Sequence, residues 1–111
     1  LDFNLINKYH VSMLPYFLDR LKNTQEGDSN LLDKTVIMYG SPMGDPNVHN
    51  RRRCPMLVFG HGGGRIAGNL HIKAPGGTPM ANVMLSLMHT MGLSDMRSFG
   101  DSTGRLTGIT T

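Results

Sequence analysis

The chain has 111 residues, which is enough for one small domain and too few for two ordinary domains. Its hydrophobic fraction of 39% and charged fraction of 17% exclude an intrinsically disordered chain and are typical of a globular protein. The net charge of +3 lies largely in three consecutive arginines, and the three tyrosines and four phenylalanines do not alternate with basic residues. We therefore expect no nucleic-acid partner.

Cysteine content and hydropathy exclude further kinds of site and segment. The single cysteine, Cys54, excludes a disulfide within the chain and a metal site built from thiolates alone. No run approaches the ~18 apolar residues of a membrane-spanning helix. Because the sequence begins at Leu1, without a basic region followed by an apolar stretch, we expect residues 1–111 to be a single domain or the C-terminal fragment of a longer one.

The first predicted element is an amphipathic helix over residues 5–22. Asn4 is the predicted N-cap, and Pro15 predicts a kink or a break because it removes one backbone hydrogen bond. We expect the apolar stripe of this helix to pack on a sheet. The stripe consists of Ile6, Tyr9, Met13, Phe17 and Leu21.

Two short apolar runs, residues 35–39 and 55–60, predict β-strands. Their apolar residues are consecutive rather than alternating, which favours strands covered on both faces of an α/β sheet. The residues between the two strands, 41–55, then form a loop at the end of a buried strand. A short extended piece is expected around residues 70–73.

The glycine-rich segment 60–64 is followed by extended sequence rather than by a helix, which excludes a P-loop or a dinucleotide-binding fingerprint. Its glycines either permit positive φ angles in a tight connection or line an anion site with their amides, and His61 can project into a pocket. A second helix is predicted from Thr78, with Pro79 at its first position and Gly92 as its stop. The tail from residue 98 is predicted to be irregular.

Loop 41–55 is the leading candidate site, because ligand groups gather where buried strands end. Asp45 and His49 can supply oxygen and nitrogen ligands for a divalent metal, and the arginines beside them can bind a phosphate or sulfate group. Asp, Asn and Gly are also common in turns, so a solvated turn is the alternative. The anion-binding candidates are Arg51, Arg52 and Arg53, and the supporting candidates are Ser41, Asn47, Asn50 and His61.

The sequence identifies no catalytic nucleophile. Ser41 follows a strand, but Gly40-Ser41-Pro42 lacks the glycine pattern and the following helix of a nucleophile elbow. Cys54 precedes a buried strand and is expected to be a small core residue rather than a reactive thiol. Catalysis by this chain alone therefore lacks an obvious attacking group.

Three blocks of the sequence resemble, in the same order, the C-terminal part of the bacterial HxxSHH-motif family, which is domain-of-unknown-function family 1552. The blocks are residues 6–50, which include "YGSPMGDPNVHN", residues 57–93, which include "LVFGHGGGRIAGN", and residues 99–108, "FGDSTGRLTG". Members of that family are several-fold longer. The histidines that name the family have no counterpart in this chain.

That family is similar to the alkaline phosphatase and sulfatase superfamily. The resemblance implies an α/β fold, in which this chain is the C-terminal portion of an alkaline-phosphatase-like sheet with helices packed on it. Ser41 and Gly44 match the superfamily's strand-end pattern, whereas Pro42-Met43 replaces its metal-binding pair. His49 resembles the superfamily's metal-binding histidine ahead of a strand, and Asp45 is expected to take over the lost acidic role.

Two functions follow as hypotheses. The first is metal-assisted hydrolysis of phosphate or sulfate esters, with a divalent ion held by Asp45 and His49, oriented by Asn47, and an arginine among residues 51–53 holding the anion. The second is a non-catalytic structural or binding subunit of a larger extracytoplasmic assembly, which Pro42 and Met43 favour. The expected partners are the rest of the domain or other subunits and an anionic small-molecule substrate. The resemblance also implies a periplasmic or extracellular location.

Overall fold

A computed structural model describes residues 2–111 of the chain. Mixed α and β structure is confirmed, and the strands form two separate two-stranded antiparallel sheets. No helix within residues 2–111 is long and apolar enough to span a membrane. The elements are α1 Phe3–Lys22, β1 Gln25–Glu26, β2 Ser29–Asn30, α2 Leu31–Lys34, β3 Ile37–Gly40, β4 Met56–Phe59 and α3 Ala81–Thr90.

Helix α1 begins two residues earlier than predicted. Asp2 is its N-cap and accepts a hydrogen bond from the amide of Asn4 at 3.1 Å, so the prediction of Asn4 as the cap is wrong. The helix runs through Pro15 without a break. The bond that Pro15 removes belongs to the carbonyl of Val11, which is an exposed residue, so water can replace the missing donor.

The apolar surface of α1 is not covered by a sheet. Helix α1 packs against the short helix α2, and none of the residues Phe3–Lys22 is buried. Leu14, Leu18 and Leu21 are half-buried and mark the covered side. The remaining large apolar side chains of the helix are exposed, including Tyr9 at 64% and Tyr16 at 63%. The prediction that this helix packs on a sheet is therefore wrong within the described structure.

Strands β3 and β4 form an antiparallel ribbon with loop 41–55 as its connection. The register pairs Ile37 with Phe59 and Gly40 with Met56. Along β3, half-buried residues alternate with exposed ones. The expectation of strands covered on both faces is wrong, because a two-stranded ribbon has one face packed and the other open to solvent. Residues 70–73, which were expected to be extended, form no strand in the described structure.

Helix α3 and its stop match the sequence pattern more closely. The helix begins at Ala81, two residues after the predicted first position, and Met80 rather than Thr78 is its N-cap. Gly92 ends the helix as predicted. It adopts a φ of 93° and donates to the carbonyl of His89, while Leu93 donates to the carbonyl of Met88. These two bonds form a Schellman motif, which requires a left-handed residue at this position.

The core lies around α3. Its buried apolar residues are few, so polar contacts carry part of the packing. Asn82 Oδ1 accepts from the amide of Thr103 at 2.9 Å, and Asn82 Nδ2 donates to Thr103 Oγ1 at 3.1 Å. Ser86 Oγ lies 2.9 Å from the carbonyl oxygen of Leu106, whose amide donates to the carbonyl of Asn82. The buried apolar residues are Ile66, Ala81, Leu85 and Leu87, and the buried polar residues are Asn82, Ser86 and Thr90.

The tail is irregular, as predicted, yet it is fixed to the rest of the chain. Thr110 forms an isolated antiparallel bridge with Ile66, and the amide of Thr111 donates to the carbonyl of Arg65 at 3.1 Å. The guanidinium of Arg65 donates to the carbonyl of Thr90 at 2.7 Å. One segment, residues 65–67, therefore joins the tail to the C-terminal end of α3.

Replacing Asn82 by alanine is expected to destabilise the protein by about 1–3 kcal/mol, because the buried side chain of Asn82 makes two hydrogen bonds with Thr103 and alanine makes neither. Urea unfolding measures the free energy, and amide hydrogen exchange at Thr103 locates the loss. Asn7→Ala on the exposed surface of α1 is the control and should stay within about 0.5 kcal/mol. Equal stability of the two variants would contradict the importance of this contact.

Gly60→Ala is expected to destabilise the protein by about 1–3 kcal/mol or more, because Gly60 has a φ of 86° and an added Cβ would lie 2.2 Å from the carbonyl oxygen of Thr35. Gly76→Ala is the matched control, since Gly76 has no neighbour within 4 Å of an added Cβ. Thermal unfolding of both variants compares them. A Gly60 variant as stable as the Gly76 variant would refute the close approach of the two segments.

Candidate functional site

Loop 41–55 contains a small backbone-closed turn. Asp45 and Asn50 form an isolated antiparallel bridge, and the amide of Gly44 donates to the carbonyl of Asn50 at 2.9 Å. A Cβ added at Gly44 would lie 2.0 Å from the carbonyl oxygen of Arg52, so only glycine allows the two sides of the loop to approach this closely. The turn at residues 45–50 is therefore held by backbone bonds rather than by packing.

Several predicted site residues stabilise the loop itself. Asp45 Oδ1 accepts from the amide of Asn47 at 3.0 Å, and Asn50 Oδ1 accepts from the amide of Arg52 at 2.9 Å. Ser41 Oγ donates to the carbonyl of Met43 at 2.8 Å. These are the local side-chain to backbone bonds typical of Asx and related turns. The turn interpretation thus accounts for Ser41, Asn50 and one oxygen of Asp45.

The remaining polar groups of the loop face solvent. Asp45 and His49 are both exposed and lie in the same turn, and His49 adopts a left-handed φ of 51°. Arg51, Arg52 and Arg53 are exposed as well. Within residues 2–111, no three side chains of His, Cys, Asp or Glu gather as a metal-binding group. Metal ligation by Asp45 and His49 and anion binding by the arginines stay predictions.

A second polar cluster lies at the other end of the β3–β4 ribbon. Asp33 Oδ1 lies 3.2 Å from His61 Nδ1, and Asp33 Oδ2 accepts from Ser29 Oγ at 2.7 Å and from Asn30 Nδ2 at 3.0 Å. The amide of Gly63 donates to the carbonyl of Asp33 at 2.8 Å. We call Ser29, Asn30, Asp33 and His61 the Asp33 cluster. Because the loop and this cluster flank opposite ends of the ribbon, the predicted residue His61 is separated from Asp45 and His49.

The hydrogen bonds lower the pKa of Asp33 below its ordinary value. The bond from Ser29 is the largest cause, and the bond from Asn30 and the interactions with His61 act in the same direction, while partial desolvation opposes them. The carboxylate is therefore ionised at neutral pH. An ionised carboxylate next to Nδ1 favours the imidazole tautomer with its proton on Nδ1, which leaves the lone pair on Nε2.

The cluster opens onto a surface depression of about 340 Å³, lined by Ser29, Asp33, Lys34, His61, Gly63 and Gly64. Ser29, Asp33 and His61 do not form a hydrolase triad. In such a triad the imidazole lies between the hydroxyl and the carboxylate. Here the carboxylate lies between the hydroxyl of Ser29 and the imidazole, so His61 does not activate Ser29.

The sequence interpretation included His61 but missed Asp33. One local signal was available, because Asn30 precedes Asp33 by three residues in the pattern of a helix N-cap. Asn30 Oδ1 indeed accepts from the amide of Asp33 at 3.0 Å. That signal places Asp33 in the first turn of α2 but does not predict its contact with His61. The contact forms because the antiparallel pairing of β3 and β4 places the residues after β4 beside the residues before β3.

Ser29→Ala is expected to raise the pKa of Asp33 towards its ordinary value of 3.8, because the strongest hydrogen-bond donor to the carboxylate is lost. A carboxyl group whose pKa is lowered by folding stabilises the protein above pH 3.8, and this contribution is lost as the pH falls through the folded-state pKa. The variant should be less stable than the parent at neutral pH, and the difference should shrink below pH 3.8.

Carboxyl ¹³C titration measures the pKa, and urea unfolding at neutral and acidic pH measures the stability. Ser98→Ala is the control, since Ser98 lies exposed far from the Asp33 cluster in the sequence. An unchanged Asp33 titration in Ser29→Ala would show that the bond between Ser29 and Asp33 does not form in solution.

Comparison of the chain with protein-family models, with curated proteins and with solved structures finds no match. The resemblance to the HxxSHH-motif family therefore depends on the sequence blocks themselves.

Proposed function

We propose that this chain is part of an alkaline-phosphatase-like or sulfatase-like protein that hydrolyses phosphate or sulfate esters with the help of a divalent metal. One observation carries the proposal. Asp45 and His49 are both exposed in one turn whose backbone is closed by the pairing of Asp45 with Asn50. A fixed backbone limits how far these two side chains can move apart, which favours their acting on one ligand.

The donor types in this turn fit the proposed ion. A carboxylate oxygen and an imidazole nitrogen are common ligands of divalent metals such as zinc. The ion would polarise the ester and lower the pKa of a bound water. Asn47 would orient the turn, and an arginine among residues 51–53 would hold the anionic group of the substrate. Further ligands and the nucleophile would come from the rest of the domain.

We also propose the finer fold and location that the family resemblance implies. The β3–β4 ribbon would belong to a larger sheet of the alkaline phosphatase type, in an exported member of the HxxSHH-motif family. The open edges of a two-stranded ribbon support this proposal, because unpaired strand edges readily accept further strands.

A non-catalytic subunit of a larger extracytoplasmic assembly is the second candidate, and the exposed surface favours it. The described structure has an accessible surface of 8480 Å². A compact monomer of this mass exposes about 6,100 Å². The excess of about 2,400 Å² is larger than the ~800 Å² that one partner buries in a standard interface. Much of the apolar part lies on α1, so a covering surface from the same protein or from another subunit would stabilise this chain.

The hydrolase proposal predicts that the full-length protein contains a stoichiometric divalent metal and turns over members of a phosphate and sulfate ester panel. His49→Ala and Asp45→Asn should each lower metal content and reduce kcat/KM at least about tenfold, since each removes a ligand. His71→Ala is the matched control, because His71 is an exposed histidine outside the loop. Elemental analysis and steady-state kinetics give the two readouts.

Measurements on the same protein preparations distinguish the hydrolase from the assembly subunit. Absence of metal and of turnover in the full-length protein would contradict the hydrolase proposal. Stoichiometric partners that copurify with the parent and with His49→Ala alike would then favour the assembly subunit. A monomeric protein without partners would count against that second candidate.

A further inference from the structure

We propose that Asp33 and His61 form a reactive carboxylate–imidazole pair, whose Nε2 atom accepts a proton from water attacking an uncharged carboxylic ester in the adjoining depression. This site is separate from loop 41–55 and does not depend on the proposed metal. His61 is the proposed catalytic residue, and Asp33 is its positioning residue.

The geometry of the pair supports the role of His61. Asp33 Oδ1 lies 3.2 Å from His61 Nδ1, so the carboxylate fixes one nitrogen of the ring and directs the other away from itself. The His61 side chain is 60% exposed, which gives a small molecule access to the ring. The depression of about 340 Å³ beside the ring is large enough for a small ester.

Several hydrogen bonds fix the position of Asp33. Its second oxygen accepts from Ser29 Oγ and Asn30 Nδ2, and its backbone carbonyl accepts from the amide of Gly63. The amide of Gly62 also donates to the carbonyl of Thr35 at 3.1 Å. Two backbone bonds, from the residues directly after His61, thus join the segment that carries His61 to the segment that carries Asp33. Such support is what a positioning carboxylate needs.

The charges around the depression select the class of ligand. Asp33 is ionised, and the ammonium of Lys34 lies 3.4 Å from the carboxylate of Asp28. The fixed charges that line the depression are the carboxylate of Asp33 and the ammonium of Lys34, which is already paired with Asp28, so a phosphate or sulfate group meets no excess of positive charge there. An uncharged ester does not need such an excess. The ligand class therefore differs from that proposed for the arginine-bearing loop.

The chemical step balances without another reagent. As the water oxygen forms a bond to the ester carbonyl carbon, one water proton passes to His61 Nε2. The carbonyl carbon then releases the alkoxide, which takes the proton from His61 Nε2 and leaves as an alcohol. The products are a carboxylic acid and an alcohol, and the imidazole returns to its neutral form.

The first test measures the reactivity of His61 directly, with diethyl pyrocarbonate on the full-length protein. This uncharged reagent acylates neutral imidazole nitrogen, and peptide mass spectrometry compares sites within one molecule. His61 should react severalfold faster than the exposed histidines His10 and His71. Asp33→Asn should lower the rate at His61 to that of His71, and Asp33→Glu should restore part of it. A His61 rate equal to that of His71 in the parent protein overturns the proposal, and this comparison needs no variant.

The second test uses p-nitrophenyl acetate, an uncharged ester. His61→Gln should abolish turnover, whereas Asp33→Asn should lower kcat with little change in KM, and His71→Ala should leave the rate unchanged. Acetate hydrolysis that persists after a chelator has removed divalent metal would confirm that the His61 site does not depend on the proposed metal. No acetate hydrolysis by the parent protein would overturn the catalytic role of His61, and this outcome is independent of metal content at the loop.

Discussion

The described structure depends on the contact between helix α3 and the irregular tail. Few apolar side chains are buried, and the buried polar residues Asn82 and Ser86 form hydrogen bonds with tail residues. Buried polar groups without partners are costly, so α3 can occupy the core only while the tail stays in place. The tail in turn fixes residues 65–67, and through them the glycine-rich segment that carries His61.

Local patterns predicted the parts of the fold that local physics determines. Gly92 stops α3 because a left-handed residue is needed there, and the helix before it follows from apolar spacing and good helix formers. The surroundings of α1 and of β3 could not be predicted from local sequence patterns. A run of apolar residues reports that a surface is suited to burial, but it does not say what covers that surface.

The two candidate sites also differ in whether local sequence or tertiary contacts determine them. The turn that contains Asp45 and His49 is local, so its residues could be identified from the sequence. The sequence could not show whether Asp45 accepts a hydrogen bond from the amide of Asn47, as it does, or is free to bind a ligand. The pair of Asp33 and His61 is non-local. It exists because the antiparallel ribbon returns the chain and because Gly60 allows the backbone to pass close to Thr35. No spacing in the sequence encodes that approach.

The exposure of α1 also bears on how the chain opens. Native-state opening is graded, and elements with few buried contacts open at lower free energy than core elements. Helix α1 has no buried residue, whereas α3 has six, and the guanidinium of Arg65 donates to the carbonyl of Thr90 at its C-terminal end. Helix α1 is therefore expected to open at lower free energy than α3, and any surface that covers α1 would raise its stability. Protection of the α1 amides would thus report a covering surface, while protection of the α3 amides reports folding.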